Sequence, residues 1–147
     1  MKLFLVAFLL AACAEGAAPS SWDSCGTATD RLVTKELSLT GSPEWHKGVD
    51  ATVDATGACS LHGPLQGGSY SIEIYELGFS HPVSTQTGDL LKILRFTDNR
   101  NTTFELKAPL LMPPSRGSGK FQASFMGKDF EHAPYYCLDI FFNYTKA

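Results

Sequence analysis

Apolar and polar residues alternate with a period of two through much of this chain, and no other feature constrains the fold as strongly. Residues 49–56 read VDATVDAT, which places two valines and two alanines on one face of an extended segment and polar residues on the other. Successive side chains of a β-strand point to opposite faces, so this alternation is typical of a strand with one buried face. No segment keeps an apolar period of 3.6 residues over three helical turns. The sequence therefore predicts an all-β fold.

The same alternation predicts the remaining strands. They cover residues 70–75, 102–108, 121–126 and 137–144, with a weaker one over 33–39. Residues 90–96 fit either a strand or a helical turn. Turn-forming pairs, among them Gly67 with Gly68 and Asp98 with Asn99, separate these segments. About seven antiparallel strands at this spacing predict a β-sandwich.

The first residues have the pattern of a secretory signal peptide. Lys2 precedes an apolar run over residues 3–10, and small residues follow, with cleavage expected after Ala14. The run is about a dozen residues long at most, whereas a membrane-spanning helix needs about 20. Residues 1–14 are therefore predicted to be a signal peptide of a secreted protein. Cleavage nearer Ala18 and, in a bacterial source, lipidation of Cys13 stay open.

The residues after this leader suffice for one domain, assigned to residues 23–147. The chain has 12 basic residues, which form no cluster, against 15 acidic residues. Nucleic acids bind proteins through clustered positive charge, so we expect no nucleic acid partner.

Three cysteines follow the leader, namely Cys25, Cys59 and Cys137. One disulfide and one remaining thiol is the simplest arrangement. A bridge from Cys25 to Cys137 would close a loop long enough to stabilise the domain by roughly 4 to 5 kcal/mol through loop entropy. The tripeptides that begin at Asn101 and Asn143 are predicted glycosylation acceptors, which fits the same oxidising route.

Several short motifs carry a resemblance to a known family. They are Cys25-Gly26 followed by Thr29-Asp30, Thr56-Gly57, the GGSYSI segment at 67–72, Pro109-Leu110 with Pro113-Pro114, and YCLDI at 136–140. In order and spacing, the chain resembles the ML lipid-recognition domain family over nearly its whole length after the leader. That family includes lysosomal sterol carriers, ganglioside activators and fungal phosphatidylglycerol/phosphatidylinositol transfer proteins.

The resemblance implies an immunoglobulin-like sandwich with an apolar cavity between its sheets, holding a sterol or a phospholipid acyl chain. It also implies that Cys25 pairs with Cys137, and that the protein is either secreted or endolysosomal. The further cysteine pairs usual in the family are missing, so the shape of the cavity mouth and the identity of the lipid do not carry over. Cys59 is interpreted as a buried free thiol.

The inward faces of the predicted strands supply the candidate lipid-binding residues, none of which is charged. They are Tyr70, Ile72, Ile74, Phe104, Leu106, Phe121, Phe125, Leu138, Ile140 and Phe142. A filled core would use the same residues, so an immunoglobulin-like interaction module remains the alternative. The 109–114 loop, with Leu110, Leu111 and Met112 expected to be exposed, is a candidate mouth. We expect a monomer that contacts membranes transiently.

Residues for catalysis or metal binding form no recognisable pattern. His46, His62, His81 and His132 are scattered without the spacing of a metal site, so no metal is predicted. The chain has no Gly-x-Ser-x-Gly motif. The GSGK segment at 117–120 is followed by Phe121, where a phosphate-binding loop needs Ser or Thr, and a hairpin turn explains it better. Neither an enzyme nor a cofactor is expected.

Overall fold

The computed structural model describes residues 21–26, 31–40, 45–46, 51–59, 67–113 and 117–145. The predicted signal peptide, residues 1–14, and His62 lie outside these ranges. The described residues form ten strands, which are β1 (Ser21–Asp23), β2 (Leu32–Thr40), β3 (Trp45–His46), β4 (Ala51–Cys59), β5 (Ser69–Glu76), β6 (Ser84–Asp89), β7 (Leu94–Phe96), β8 (Thr103–Leu110), β9 (Gly119–Lys128) and β10 (Pro134–Thr145).

The strands form two sheets, which confirms the predicted all-β sandwich. One sheet has the order β1-β10-β9-β5-β6, with β3 also pairing with β10, and the other has the order β2-β4-β8-β7. Every pair of neighbouring strands is antiparallel except β3 with β10. Three of the ten strands have only two or three residues. Of the other seven, six were predicted and β6 was not, while the predicted segment 90–96 contributes the short β7.

Alternation sets which side of each strand faces the core. In β8, Phe104, Leu106, Ala108 and Leu110 are buried, while the residues between them are half-buried or exposed. The inward residues of both sheets join one hydrophobic cluster. Burial of apolar surface contributes about 25 cal/mol per Å², so these paired faces are the main stabilising feature of the sandwich.

The 109–114 loop differs from its prediction at Leu110. This residue was expected to be exposed, but only 2 % of its surface is accessible. The reason is that β8 extends to Leu110, which has the inward parity of Phe104 and pairs with Ala51. Leu111 is exposed as predicted, and Met112 is half-buried.

The 90–96 segment contains both of the structures that its sequence fits. A short 3-10 turn over Leu90–Lys92 begins where the Asp89 carboxylate accepts a hydrogen bond from the Leu91 backbone N–H at 3.0 Å, and β7 follows. This segment carries the chain from one sheet to the other. No helix in the described ranges is long and apolar enough to cross a membrane.

A disulfide joins Cys25 to Cys137, as the resemblance implies, with their Cα atoms 5.0 Å apart. It links the segment after β1 to β10 across 112 residues of sequence. Cys59 lies outside the disulfide and is buried at the end of β4. Because β1 has only three residues, the disulfide supplements the hydrogen bonds that attach it to β10.

The disulfide predicts unequal effects of cysteine substitution. Cys25→Ser should lower the free energy of unfolding by about 2 to 5 kcal/mol, because the unfolded chain regains the entropy of a long loop. Cys59→Ala removes one buried sulfur and should cost less. Urea denaturation of both variants measures the difference. Equal losses would contradict a structural role for the disulfide.

Candidate functional site between the two sheets

The ten candidate lipid-binding residues lie on the facing surfaces of the two sheets. Two come from β8 in the four-stranded sheet, and eight come from β5, β9 and β10 in the other sheet. Nine are buried, each with at most 4 % of its surface accessible. Tyr70 is half-buried, as the second residue of β5, and its ring stacks on Phe125 with 5.7 Å between centroids. The site candidates thus form one continuous apolar interior.

Tyr136 connects the two sheets at one end of the sandwich, which we call the Tyr136 end. Its ring meets Phe125 edge to face at 5.3 Å and Phe104 of the opposite sheet at 6.1 Å. Its hydroxyl lies 2.6 Å from the hydroxyl of Thr34, also in the opposite sheet. Burial raises the pKa of Tyr136 to about 12, so the hydroxyl keeps its proton at neutral pH. The Tyr136 end is therefore closed by side chains from both sheets.

Aromatic side chains gather again towards the opposite end. Phe121 stacks on Phe142 and meets Tyr144 edge to face, with centroids 6.0 Å apart in both pairs. All three residues belong to β9 and β10 of the six-stranded sheet. These contacts support one sheet from within and do not connect it to the other.

Small side chains lie among the large ones on both facing surfaces. Ala123 lies between Phe121 and Phe125 on β9, and Ala108 lies between Leu106 and Leu110 on β8. The inward residues at the start and middle of β4 are also small, namely Ala51, Val53 and Ala55. We call these five residues the small-residue centre. All five are buried, with at most 4 % of the surface of each accessible.

The end of the sandwich away from Tyr136 exposes apolar side chains on two neighbouring segments. We call it the Phe79 end. The turn after β5 exposes 46 % of Leu77 and 66 % of Phe79, and the segment after β8 exposes 54 % of Leu111. A cleft of about 440 Å³ lies between them, lined by Glu76, Phe79, Ser80, His81, Pro82, Val83 and Pro113.

Hydrogen bonds from β6, which follows that turn, hold the end of β8 and Leu111 against it. The Gln86 amide donates to the Pro109 carbonyl at 2.7 Å and accepts from the Leu111 N–H at 2.8 Å. The Ser84 hydroxyl donates to the Leu111 carbonyl at 2.8 Å. β7 pairs with β8 only as far as Leu106. Gln86 of the other sheet therefore bonds with backbone groups of Pro109 and Leu111, which have no partner on β7. This contact closes one side of the sandwich near the Phe79 end.

Charged residues lie outside this interior. Arg95 and Lys107 both pair with Glu105, and the hydrogen bonds from Lys107 and then Arg95 lower the pKa of that carboxyl. They line a cleft of about 450 Å³ against the outer face of β7 and β8. His81 and His132 are exposed. Within the described part of the chain, no three His, Cys, Asp or Glu side chains are grouped to hold a metal ion.

Sequence reasoning missed Thr34, Tyr135 and Tyr136. Tyr136 has the parity of Leu138 and Ile140, so extending the alternation of β10 by one step would have found it. Irregular pairing between Pro134 and Tyr136 buries both tyrosines, and a similar irregularity between Thr34 and Glu36 shifts the inward parity of β2. Such bulges place an extra residue opposite one partner, and simple alternation does not predict them.

The fold is similar to one known from a crystal structure, that of a Niemann-Pick type C2 protein from Japanese carpenter ant. The TM-score is 0.60, and the match covers 85 % of this chain and 99 % of that chain, at 8 % sequence identity. No protein-family model matches the sequence, and no curated protein matches it. At this identity the similarity is one of fold.

The contact between Thr34 and Tyr136 predicts a measurable coupling. Either Thr34→Val or Tyr136→Phe leaves one buried hydroxyl without this partner, which should cost about 1 to 3 kcal/mol. The double variant removes both hydroxyls, so it should lose less than the sum of the two single losses. Urea denaturation of the four proteins measures this. Strictly additive losses would contradict the bond.

Proposed function

We propose that this protein binds a lipid between its two sheets, and carries a sterol or the acyl chain of a phospholipid. The observation that carries the proposal is the composition of the interior. Its inward residues are uncharged, and the small side chains on β4, β8 and β9 lie among large apolar ones. An apolar ligand needs such a wall, because an unpaired polar group on it would cost about 1 to 3 kcal/mol on desolvation.

The hydrophobic effect gives such an interior its affinity. Burying a dozen methylene groups contributes about 10 kcal/mol before the costs of association are subtracted, at ~0.8 kcal/mol for each group. Leaving a bilayer costs nearly the same amount. The protein can therefore bind a lipid tightly from water, while the free energy of moving that lipid between the protein and a membrane stays close to zero.

Two other lines of support agree with this function. The sequence resembles the ML lipid-recognition family, and the fold is similar to that of a Niemann-Pick type C2 protein. A disulfide that closes the domain suits an oxidising compartment, so we propose a secreted or endolysosomal location. Asn101 and Asn143 are exposed, and we propose both as glycan acceptors in that route. We propose no enzymatic role.

The alternative is an interaction module whose core is filled. Burial of the inward side chains suits it equally well, because a packed core and the wall of a ligand site use the same residues. The two functions differ at the small-residue centre. In a carrier this region is the space for the ligand, whereas in an interaction module it is already packed.

A substitution at the small-residue centre tests the proposal. If a lipid occupies the centre, the larger side chain of Ala123→Leu should fill the same space. The affinity for a fluorescent sterol or fatty acid, measured by displacement, should fall at least tenfold. The melting temperature without ligand should stay unchanged or rise. Ala133→Leu, at an exposed position in the turn before β10, is the matched control and should alter neither quantity.

A filled core gives the opposite result. Ala123→Leu would then overpack the interior and lower stability by about 1 to 3 kcal/mol. The wild-type protein would bind neither a sterol nor a fatty acid. That combination would exclude the carrier.

We further propose that the Phe79 end contacts membranes transiently while lipid enters or leaves. Turns usually expose polar residues, but here a tight turn, closed by the Phe79 N–H and the Glu76 carbonyl at 3.1 Å, exposes Leu77 and Phe79. The backbone holds these side chains outward at the same end of the sandwich as Leu111. Exposed apolar residues grouped at one end of a domain are typical of membrane or protein contact sites.

A paired substitution tests the membrane contact. Phe79→Ser combined with Leu111→Ser should slow lipid transfer between vesicles severalfold and leave affinity for lipid in solution unchanged, because both side chains lie outside the interior. Phe130→Ser is the control, since Phe130 is 69 % exposed but follows β9 at the Tyr136 end. Transfer that slows only in the control would place the contact at the other end.

A further inference from the structure

Tyr135 lies at the Tyr136 end, between the turn after β9 and the core. An irregularity in the pairing of β10 turns it inwards next to Tyr136. Its ring packs beside Gly127, where an added Cβ would lie 3.7 and 3.8 Å from two ring atoms of Tyr135. Gly127 continues the inward parity of Phe121, Ala123 and Phe125. The Tyr135 ring therefore lies at the end of the space between the sheets.

The hydroxyl of Tyr135 is buried and has no hydrogen-bond partner in the described part of the protein. Only 3 % of the residue is accessible, and burial, followed by the charge of Asp129, raises its pKa to about 12. The hydroxyl thus stays protonated and remains a hydrogen-bond donor. The great majority of buried polar side-chain atoms in proteins have a hydrogen-bond partner, so this hydroxyl is a donor that an entering ligand can use.

Tyr136 provides a direct comparison within the same strand. It is buried to a similar degree, but its hydroxyl bonds with Thr34 at 2.6 Å. The two neighbouring tyrosines therefore differ in one respect. One hydroxyl is bonded to Thr34, while the other has no hydrogen-bond partner within the described residues.

We propose that the Tyr135 hydroxyl donates a hydrogen bond to an oxygen of the bound lipid, such as a hydroxyl, carbonyl or carboxylate oxygen. This inference rests on the proposed function and deepens it, because it orients the ligand. For a sterol or a fatty acid, whose polar group is small, that group lies at the Tyr136 end and the apolar part extends past the small-residue centre towards the Phe79 end. Tyr135 thereby selects lipids that carry an oxygen at one end.

The experiment compares wild type, Tyr135→Phe and the control Tyr136→Phe. Each protein is melted without lipid and then used in displacement assays with a fluorescent sterol and a fluorescent fatty acid. The competitors are cholesterol against 5-cholestene, which lacks the hydroxyl, and palmitic acid against hexadecane. Cholesterol competes against the fluorescent sterol and palmitic acid against the fluorescent fatty acid. The variants are then compared with whichever of these two pairs has a polar competitor that displaces the probe from the wild-type protein.

The expected result is that Tyr135→Phe melts no earlier than wild type, because no hydrogen bond is lost, whereas Tyr136→Phe melts earlier. Wild type should prefer the polar competitor, and Tyr135→Phe should reduce that preference about fivefold, the factor of one ordinary hydrogen bond.

Two results would overturn the inference alone. One is lipid binding by Tyr135→Phe with the wild-type preference intact. The other is ligand-free melting of Tyr135→Phe as early as that of Tyr136→Phe, which would mean that the protein or an ordered water already satisfies the hydroxyl. Wild type that binds no competitor of either class removes the proposed function as well, so the two failures are distinguishable.

Discussion

The contact of Tyr136 with Thr34, Phe104 and Phe125 is the interaction on which the arrangement of the two sheets depends. It joins residues of both sheets through one hydrogen bond and two edge-to-face ring contacts. Edge-to-face pairs add about 0.5 to 1.5 kcal/mol each beyond the area they bury. The disulfide of the next residue, Cys137, anchors the same strand.

The sequence predicted the strands that have one apolar face, and missed those that do not. β4, β5, β8, β9 and β10 alternate clearly, and each forms a strand close to its expected position. β6 reads STQTGD, with no large apolar residue, because it is an edge strand whose side chains lie at the margin of the core. Its pairing with β5 depends on backbone hydrogen bonds, which leave no pattern in the side chains.

The site was predictable only as far as alternation is regular. Nine of the ten inward candidates are buried because their strands keep strict parity. Tyr135 and Thr34 lie next to irregular pairings, where parity shifts, and Leu110 was misplaced because a strand continued into a proline-containing segment. Whether inward residues surround a ligand depends on the distance between the sheets. That distance is set by contacts such as Tyr136 with Thr34, which join residues far apart in sequence.

If a lipid occupies the interior between the sheets, native mass spectrometry of the protein secreted by a eukaryotic host should detect it directly. We expect a population heavier than the bare chain by the mass of one lipid, lost on organic extraction and regained on incubation with vesicles. Ala123→Leu, prepared in the same way, should lack that population. A wild-type protein with only the mass of its own chain and glycans, before and after incubation with vesicles, would contradict lipid binding.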